Sequence, residues 1–243
     1  MRPFLFLGTR AEDDVAAAEY EAVLRFSGLD EGDVRRVRLE ERELGEVDLG
    51  DWSGIVLGGS PFNISDPDEL KSAAQHRVEA ELRRLAGRVL AEDFPFLGAC
   101  YGIGTLGTLE GGRVDRAYGE PIGPVSIRLT EAGRADALLG VLPDTFDAFV
   151  GHKEAVSRMP GNAVLLASSA GCPVQAFRLR NNVYATQFHP ELDVEALLRR
   201  ISVYRHHGYF DPVEVESVLD RARRGVVTEP PRLLARFVEL YAR

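Results

Sequence analysis

Three short apolar runs, PFLFLG (3–8), SGIVLGG (53–59) and FPFLGA (94–99), close on glycine or Gly-Ala and are separated by stretches with helical spacing at 13–27 and 69–91. A strand that must pass through a helix before the next strand cannot pair with it through a hairpin, so the crossover makes the two parallel. With a further strand predicted over 34–39, the first half of the chain reads as βαβ units of a parallel sheet. The functional loops of such a sheet leave the carboxyl ends of its strands.

From about residue 113 the pattern changes to closely spaced apolar runs: GPVSIRLT, FDAFVGHKEAV, AVLLASSA, CPVQAFRLR and VYATQFHP. Short turns such as RNN and SAGCP join them, which predicts antiparallel strands added to the parallel sheet. After HPELD the apolar residues recur at helical spacing over 193–207, 213–224 and 231–242, punctuated by GYFDP and TEPP. The expected organisation is therefore an α/β domain over 1–192, with a helical C-terminal extension over 193–243 packed on the same domain.

Composition narrows the function classes. A formal net charge of −9 opposes sequence-independent phosphate binding, so no nucleic-acid partner is expected. No apolar run approaches the roughly 20 residues of a membrane helix, and MRPFLFLGTRAEDD turns acidic after a handful of apolar residues. The expectation is a cytoplasmic protein with no membrane partner. Two cysteines, Cys100 and Cys172, are too few for a disulfide framework and lack zinc-site spacing, so no metal and no cofactor are expected.

Cys100 stands in Gly98-Ala99-Cys100-Tyr101-Gly102, a G-x-nucleophile-x-G pattern between a predicted strand and a predicted helix. The glycines remove side chains that would collide at a sharp strand-to-helix turn. There the thiol meets the unpaired N–H groups of a helix start, which activates it by placement. The pentapeptide alone is equally compatible with a small residue buried at a tight turn.

A nucleophile of this kind needs a base and a group that orients the base. TQFHPEL (186–192) offers both at the end of an apolar run, with Glu191 placed to accept one imidazole N–H while His189 faces the thiol. VLGGSP (56–61) ends another strand in two glycines. Its bare backbone places the Gly59 N–H, with that of Tyr101, as the expected oxyanion hole.

Taken in order, GGSP, GACYG, GHKEAV and QFHPE resemble the class I (triad) glutamine amidotransferases, particularly free-standing members similar to the amidotransferase domain of GMP synthetase. The resemblance covers roughly residues 3 to 192. It implies a flavodoxin-like α/β fold with a mixed, largely parallel sheet. It also implies a reaction in which Cys100 attacks the side-chain amide of L-glutamine, His189 shuttles the proton and Glu191 orients His189. Ammonia then leaves from a γ-glutamyl thioester, which water hydrolyses. The 243 residues are expected to be taken up by core and tail, leaving the ammonia acceptor to a separate synthase subunit.

By the same resemblance Gly58, Ser60, His152, Lys153 and Glu154 belong beside the substrate. Lys153 and Glu154 suit an amino-acid headgroup of both signs, although exposed Lys and Glu pairs are ordinary, and His152 is either a pocket wall or a structural histidine. One departure stands out. The family commonly carries a glutamine two residues past the second elbow glycine, where this chain has Gly104.

That departure keeps a second activity in play, a γ-glutamyl hydrolase or peptidase acting on a peptide or conjugate. A non-catalytic, partner-binding subunit is the alternative from another class, and the complete triad argues against it. Cys172 reads as a packed thiol and His206-His207 as a helix end.

Overall fold

The computed structural model describes residues 1–203, 215–225 and 227–243. His206, His207 and the GYFDP segment lie outside the described residues.

In chain order the elements are β1 (Phe4–Gly8), α1 (Asp13–Ser27), β2 (Val34–Arg38), β3 (Ile55–Leu57), α2 (Ala73–Glu92), β4 (Phe96–Ala99) and α3 (Tyr101–Gly107). Then follow β5 (Arg113–Asp115), β6 (Glu120–Leu129), α4 (Glu131–Arg134), β7 (Thr145–His152), β8 (Ala155–Arg158), β9 (Val164–Ser169), β10 (Ala176–Leu179) and β11 (Val183–Thr186). Three helices close the chain: α5 (Val194–Val203), α6 (Val215–Arg224) and α7 (Arg232–Tyr241).

Nine strands form one sheet in the order β2-β1-β3-β4-β11-β10-β9-β6-β7. The first five are mutually parallel, and β10, β9, β6 and β7 continue it antiparallel. This is the mixed, largely parallel sheet flanked by helices that the alternating runs predict. Four of the five parallel strands are buried on both faces, as their unbroken apolar sequences require: every residue of β1, β3, β4 and β11 is buried, while β2, at the sheet edge, is mostly not.

The long helix is predicted from 69 but starts at Ala73, because the Ser72 hydroxyl accepts the Gln75 N–H at 3.1 Å and caps it there. FDAFVGHKEAV reads as one strand and folds as two. β7 ends at His152, and β8 leaves to pair with β5 in a separate two-stranded sheet.

One core face gathers α2, α3 and the parallel strands. The other packs α1 and α7 against the sheet, with Leu233, Leu234 and Phe237 of α7 beside Phe4 of β1. A third cluster joins Leu197 and Ile201 of α5 and Val218 and Ala222 of α6 to Phe149 of β7. Each of these helices has an apolar stripe that is satisfied only against the sheet or a neighbour. Among the described residues no helix is long and apolar enough to cross a membrane.

Candidate active site

β1, β3, β4 and β11 run parallel, so the loops that follow them emerge at one edge of the sheet. Those loops carry Arg10, Gly58-Gly59-Ser60, Cys100 and Gln187 to Glu191. Sequence-distant residues thereby share one cleft, lined by Arg10, Ser60, Cys100, Val150, His189 and Arg200 among others.

The turn at Cys100 is sharp. Its φ is +52° with ψ −71°, a region that a residue with a β-carbon enters only when its surroundings hold it there. The Cys100 N–H donates to Thr186 O at 2.7 Å, tying the turn to the end of β11. A β-carbon on Gly98 would sit 2.6 Å from Gly102 Cα, so strand and helix approach more closely than any side chain permits. That is the steric reason for Gly98, whereas a β-carbon on Gly102 would meet nothing within 4 Å.

Beyond β11 the chain bends at Gln187 and Phe188 and turns after His189, whose carbonyl accepts the Leu192 N–H at 3.3 Å, while the His189 N–H donates to Phe149 O of β7 at 3.1 Å. His189 and Glu191 are both buried, with His189 Nδ1 2.7 Å from Glu191 Oε1. At that distance Nδ1–H donates to the carboxylate, which leaves Nε2 as the ring's other working nitrogen. Burial disfavours charge on His189, but the Glu191 carboxylate and then the Cys100 sulfur outweigh it and hold its pKa up, to about 9. Burial would raise Glu191, yet His189 and then Arg200 outweigh it and hold the carboxyl well below the usual range.

Gly59 lies against this pair, since a β-carbon there would meet His189 Cε1 and Arg10 Nη2, each at 2.6 Å. Its carbonyl accepts the Thr9 hydroxyl at 2.9 Å, which fixes the strip. Tyr101 is the first residue of α3, where backbone N–H groups have no partner within the helix.

The GHKEAV residues are distributed differently from a headgroup clamp. Lys153 is exposed, whereas His152 and Glu154 are buried. His152 is held at both nitrogens, Nδ1 by Glu154 O and Nε2 by Glu120 Oε2, each at 2.9 Å. The Glu120 carboxylate also accepts from Gln175 at 2.7 Å and Ser169 at 3.2 Å. Cys172 completes this second Cys–His–Glu grouping; its thiol donates to Val174 O at 3.4 Å and is pushed up to about 11, chiefly by burial. The grouping is thus hydrogen-bonded from within.

Glu154 turns the other way. Its two carboxylate oxygens accept the Ile64 N–H at 2.9 Å and the Ser65 N–H at 2.7 Å, fastening the loop after β3. That loop fills the space beside Gly104, where a β-carbon would lie 2.6 Å from Ile64 Cγ1 and 3.1 Å from Glu154 Oε1.

Four residues of the site escape a reading of the sequence. Gln187, whose amide is 3.9 Å from Cys100 Sγ, stands two residues before His189 in the bent segment that follows β11. Arg10, Glu19 and Arg200 come from the loop after β1, from α1 and from α5, and no local pattern links them.

Comparison with known proteins places this architecture. Residues 30–201 match the family described as glutamine amidotransferase class-I. The glutamine-hydrolyzing GMP synthase of Aeropyrum pernix is 34% identical over 149 residues, which is 61% of this chain and 26% of that one. In Thermoplasma volcanium, one of the subunits of a glutamine-hydrolyzing GMP synthase is 30% identical over 157 residues, 64% of this chain and 68% of that one. The chain therefore spans about a quarter of the length of the first relative and two thirds of the second. Among solved structures, a glutamine amidotransferase from Thermotoga maritima superposes with a TM-score of 0.77 at 20% identity, over 99% of this chain and 98% of that one.

Proposed function

This chain belongs to the glutamine amidotransferase class-I family, and on that premise we propose that Cys100, His189 and Glu191 are a catalytic triad that hydrolyses the side-chain amide of L-glutamine. The observation that carries the proposal is the buried 2.7 Å contact of His189 with Glu191, set beside a thiol held at φ +52° on the strand-to-helix turn.

The chemistry follows from those positions. His189 Nε2 takes the proton of Cys100, whose sulfur adds to the amide carbon. The N–H groups of Tyr101 and Gly59 receive the developing oxyanion. His189 then returns the proton to the amide nitrogen, the C–N bond breaks, ammonia leaves and the γ-glutamyl thioester remains. Water, deprotonated by the same Nε2, attacks the thioester; glutamate departs and the thiol is restored. Glu191 keeps Nδ1 protonated throughout and balances the imidazolium.

Gly58 and Ser60 line the substrate side, and the released ammonia is consumed by a separate synthase subunit. The Thermoplasma relative, itself one subunit of its synthase, supports that division. Release of glutamate from glutamine by the purified chain, abolished in Cys100→Ala, tests the reading.

One observation favours a second substrate class. Ile64 and Glu154 close the space beside Gly104, so the amide side chain that family members place there has neither a residue nor room. A γ-glutamyl peptide or conjugate, held by its leaving group instead, suits such a site. Turnover of γ-glutamyl peptides with none of glutamine would select this alternative.

A further inference from the structure

We propose that Arg200 of α5 is a positioning residue of the triad, holding Glu191 in its ionised form and in register behind His189. The inference rests on the triad reading above.

Arg200 Nη2 lies 3.5 Å from Glu191 Oε1 and 3.3 Å from Glu19 Oε1. Arg10 Nε lies 3.3 Å from the same Glu19 oxygen. The four side chains are 5%, 1%, 9% and 2% exposed for Arg10, Glu19, Arg200 and Glu191, so the charges face one another rather than water. Their signs alternate: positive, negative, positive, negative, and then His189. A buried carboxylate without a counter-charge protonates instead.

The catalytic cycle makes this a functional matter. His189 balances Glu191 only while it is an imidazolium, and it gives its proton away when the amine departs. At that moment Arg200 remains as the cation on Glu191. Without it the carboxylate takes a proton, and a protonated Glu191 no longer holds Nδ1–H. Arg200 Nη1 also lies 3.4 Å from His189 Nδ1. That nitrogen's proton is committed to Glu191 at 2.7 Å, so this contact is one of charge and not a hydrogen bond. The charged and titratable groups that face Glu191 include His189 and Arg200, with Cys100 beside His189 and with Glu19 and Arg10 behind Arg200.

The test compares Arg200→Met and Arg200→Lys with Arg199→Met, a control on the exposed side of α5, where Arg199 is half-exposed and 3.8 Å from Glu195. The readouts are the pH profile of kcat/KM and, independently of any substrate, the pH profile of Cys100 alkylation by iodoacetamide followed by intact mass. Expected for Arg200→Met is a fall in kcat of about 10- to 100-fold with KM nearly unchanged. The acid limb of both profiles moves up by about one pH unit or more, and Arg200→Lys recovers part of each change.

Should Arg200→Met fail to fold, Glu19→Gln, which removes the anion that shares Arg200 with Glu191, is expected to move the same limb the opposite way, to lower pH. Alkylation profiles of Arg200→Met, or of Glu19→Gln in its place, that coincide with that of Arg199→Met overturn the proposal. They would leave Arg200 a pin for α5. Wild-type chain inactive on every γ-glutamyl substrate would instead count against the triad reading, while the alkylation profile still decides the role of Arg200.

Discussion

Replacing Cys100 by glycine is expected to give an inactive protein that is more stable than the Cys100→Ala variant. At φ +52° a residue with a β-carbon bears strain of about 1–3 kcal/mol; alanine keeps that strain and glycine releases it. Against this, glycine loses about 0.5–1 kcal/mol relative to alanine through the freedom of the unfolded chain. The balance favours Cys100→Gly over Cys100→Ala by about 1 kcal/mol. At about 2.1 cal/mol/K per residue, a chain of 243 residues has an unfolding entropy of about 0.5 kcal/mol/K, so the difference in Tm is about 2 °C. Scanning calorimetry of the two variants, checked by their urea midpoints, measures it. Comparing the two variants cancels the loss of the thiol, which both share. An alanine variant as stable as the glycine variant would refute strain at the elbow, and glutaminase activity in either would refute Cys100 as nucleophile.

Glu191→Gln is expected to lower kcat by about 10²–10⁴-fold with little change in KM, measured by steady-state glutamate release. Gly98→Ala, whose β-carbon meets Gly102 Cα, should cost about 1–3 kcal/mol in denaturant unfolding and should abolish turnover by opening the turn. Gly104→Ala collides with Ile64 and is expected to cost a similar amount, about 1–3 kcal/mol. Ile64→Ala in the same chain should give part of it back, so a double-mutant cycle reads a favourable coupling, and strict additivity would mean that Ile64 does not fill that space. The pKa of His189 is raised from 6.5 to about 9. Its contribution to stability is therefore fully present below about 6.5 and lost as pH rises through about 9. Tm plotted against pH should fall over that window in the wild type and fall less in His189→Asn.

The helices, the elbow and the His-Pro-Glu segment were legible because each is a local matter. Gly98 reports a turn that no side chain tolerates at its position, and the two-residue spacing of His189 and Glu191 sets the carboxylate beside the ring. The alternation of apolar runs with helices likewise implied parallel strands, and with them the edge of the sheet where the site would lie. What stayed hidden depends on strand order and on which helix covers which loop.

His152 reads as a pocket wall or a structural histidine and Glu154 as a headgroup contact, and β7 ends between the two. One is locked to Glu120 of β6, and the other holds the loop after β3. Gly104 reads as a missing contact, and only packing shows Ile64 occupying its place. Arg200 lies 181 residues from Glu19, and their contact exists because α1 and α5 lie side by side. The sequence by itself singled out the candidate nucleophile, base and orienting acid, since each stands in a short local motif. Only the tertiary structure decided the charges behind the triad and the walls beside it, because burial creates the demand for a counter-charge, and burial belongs to the whole fold.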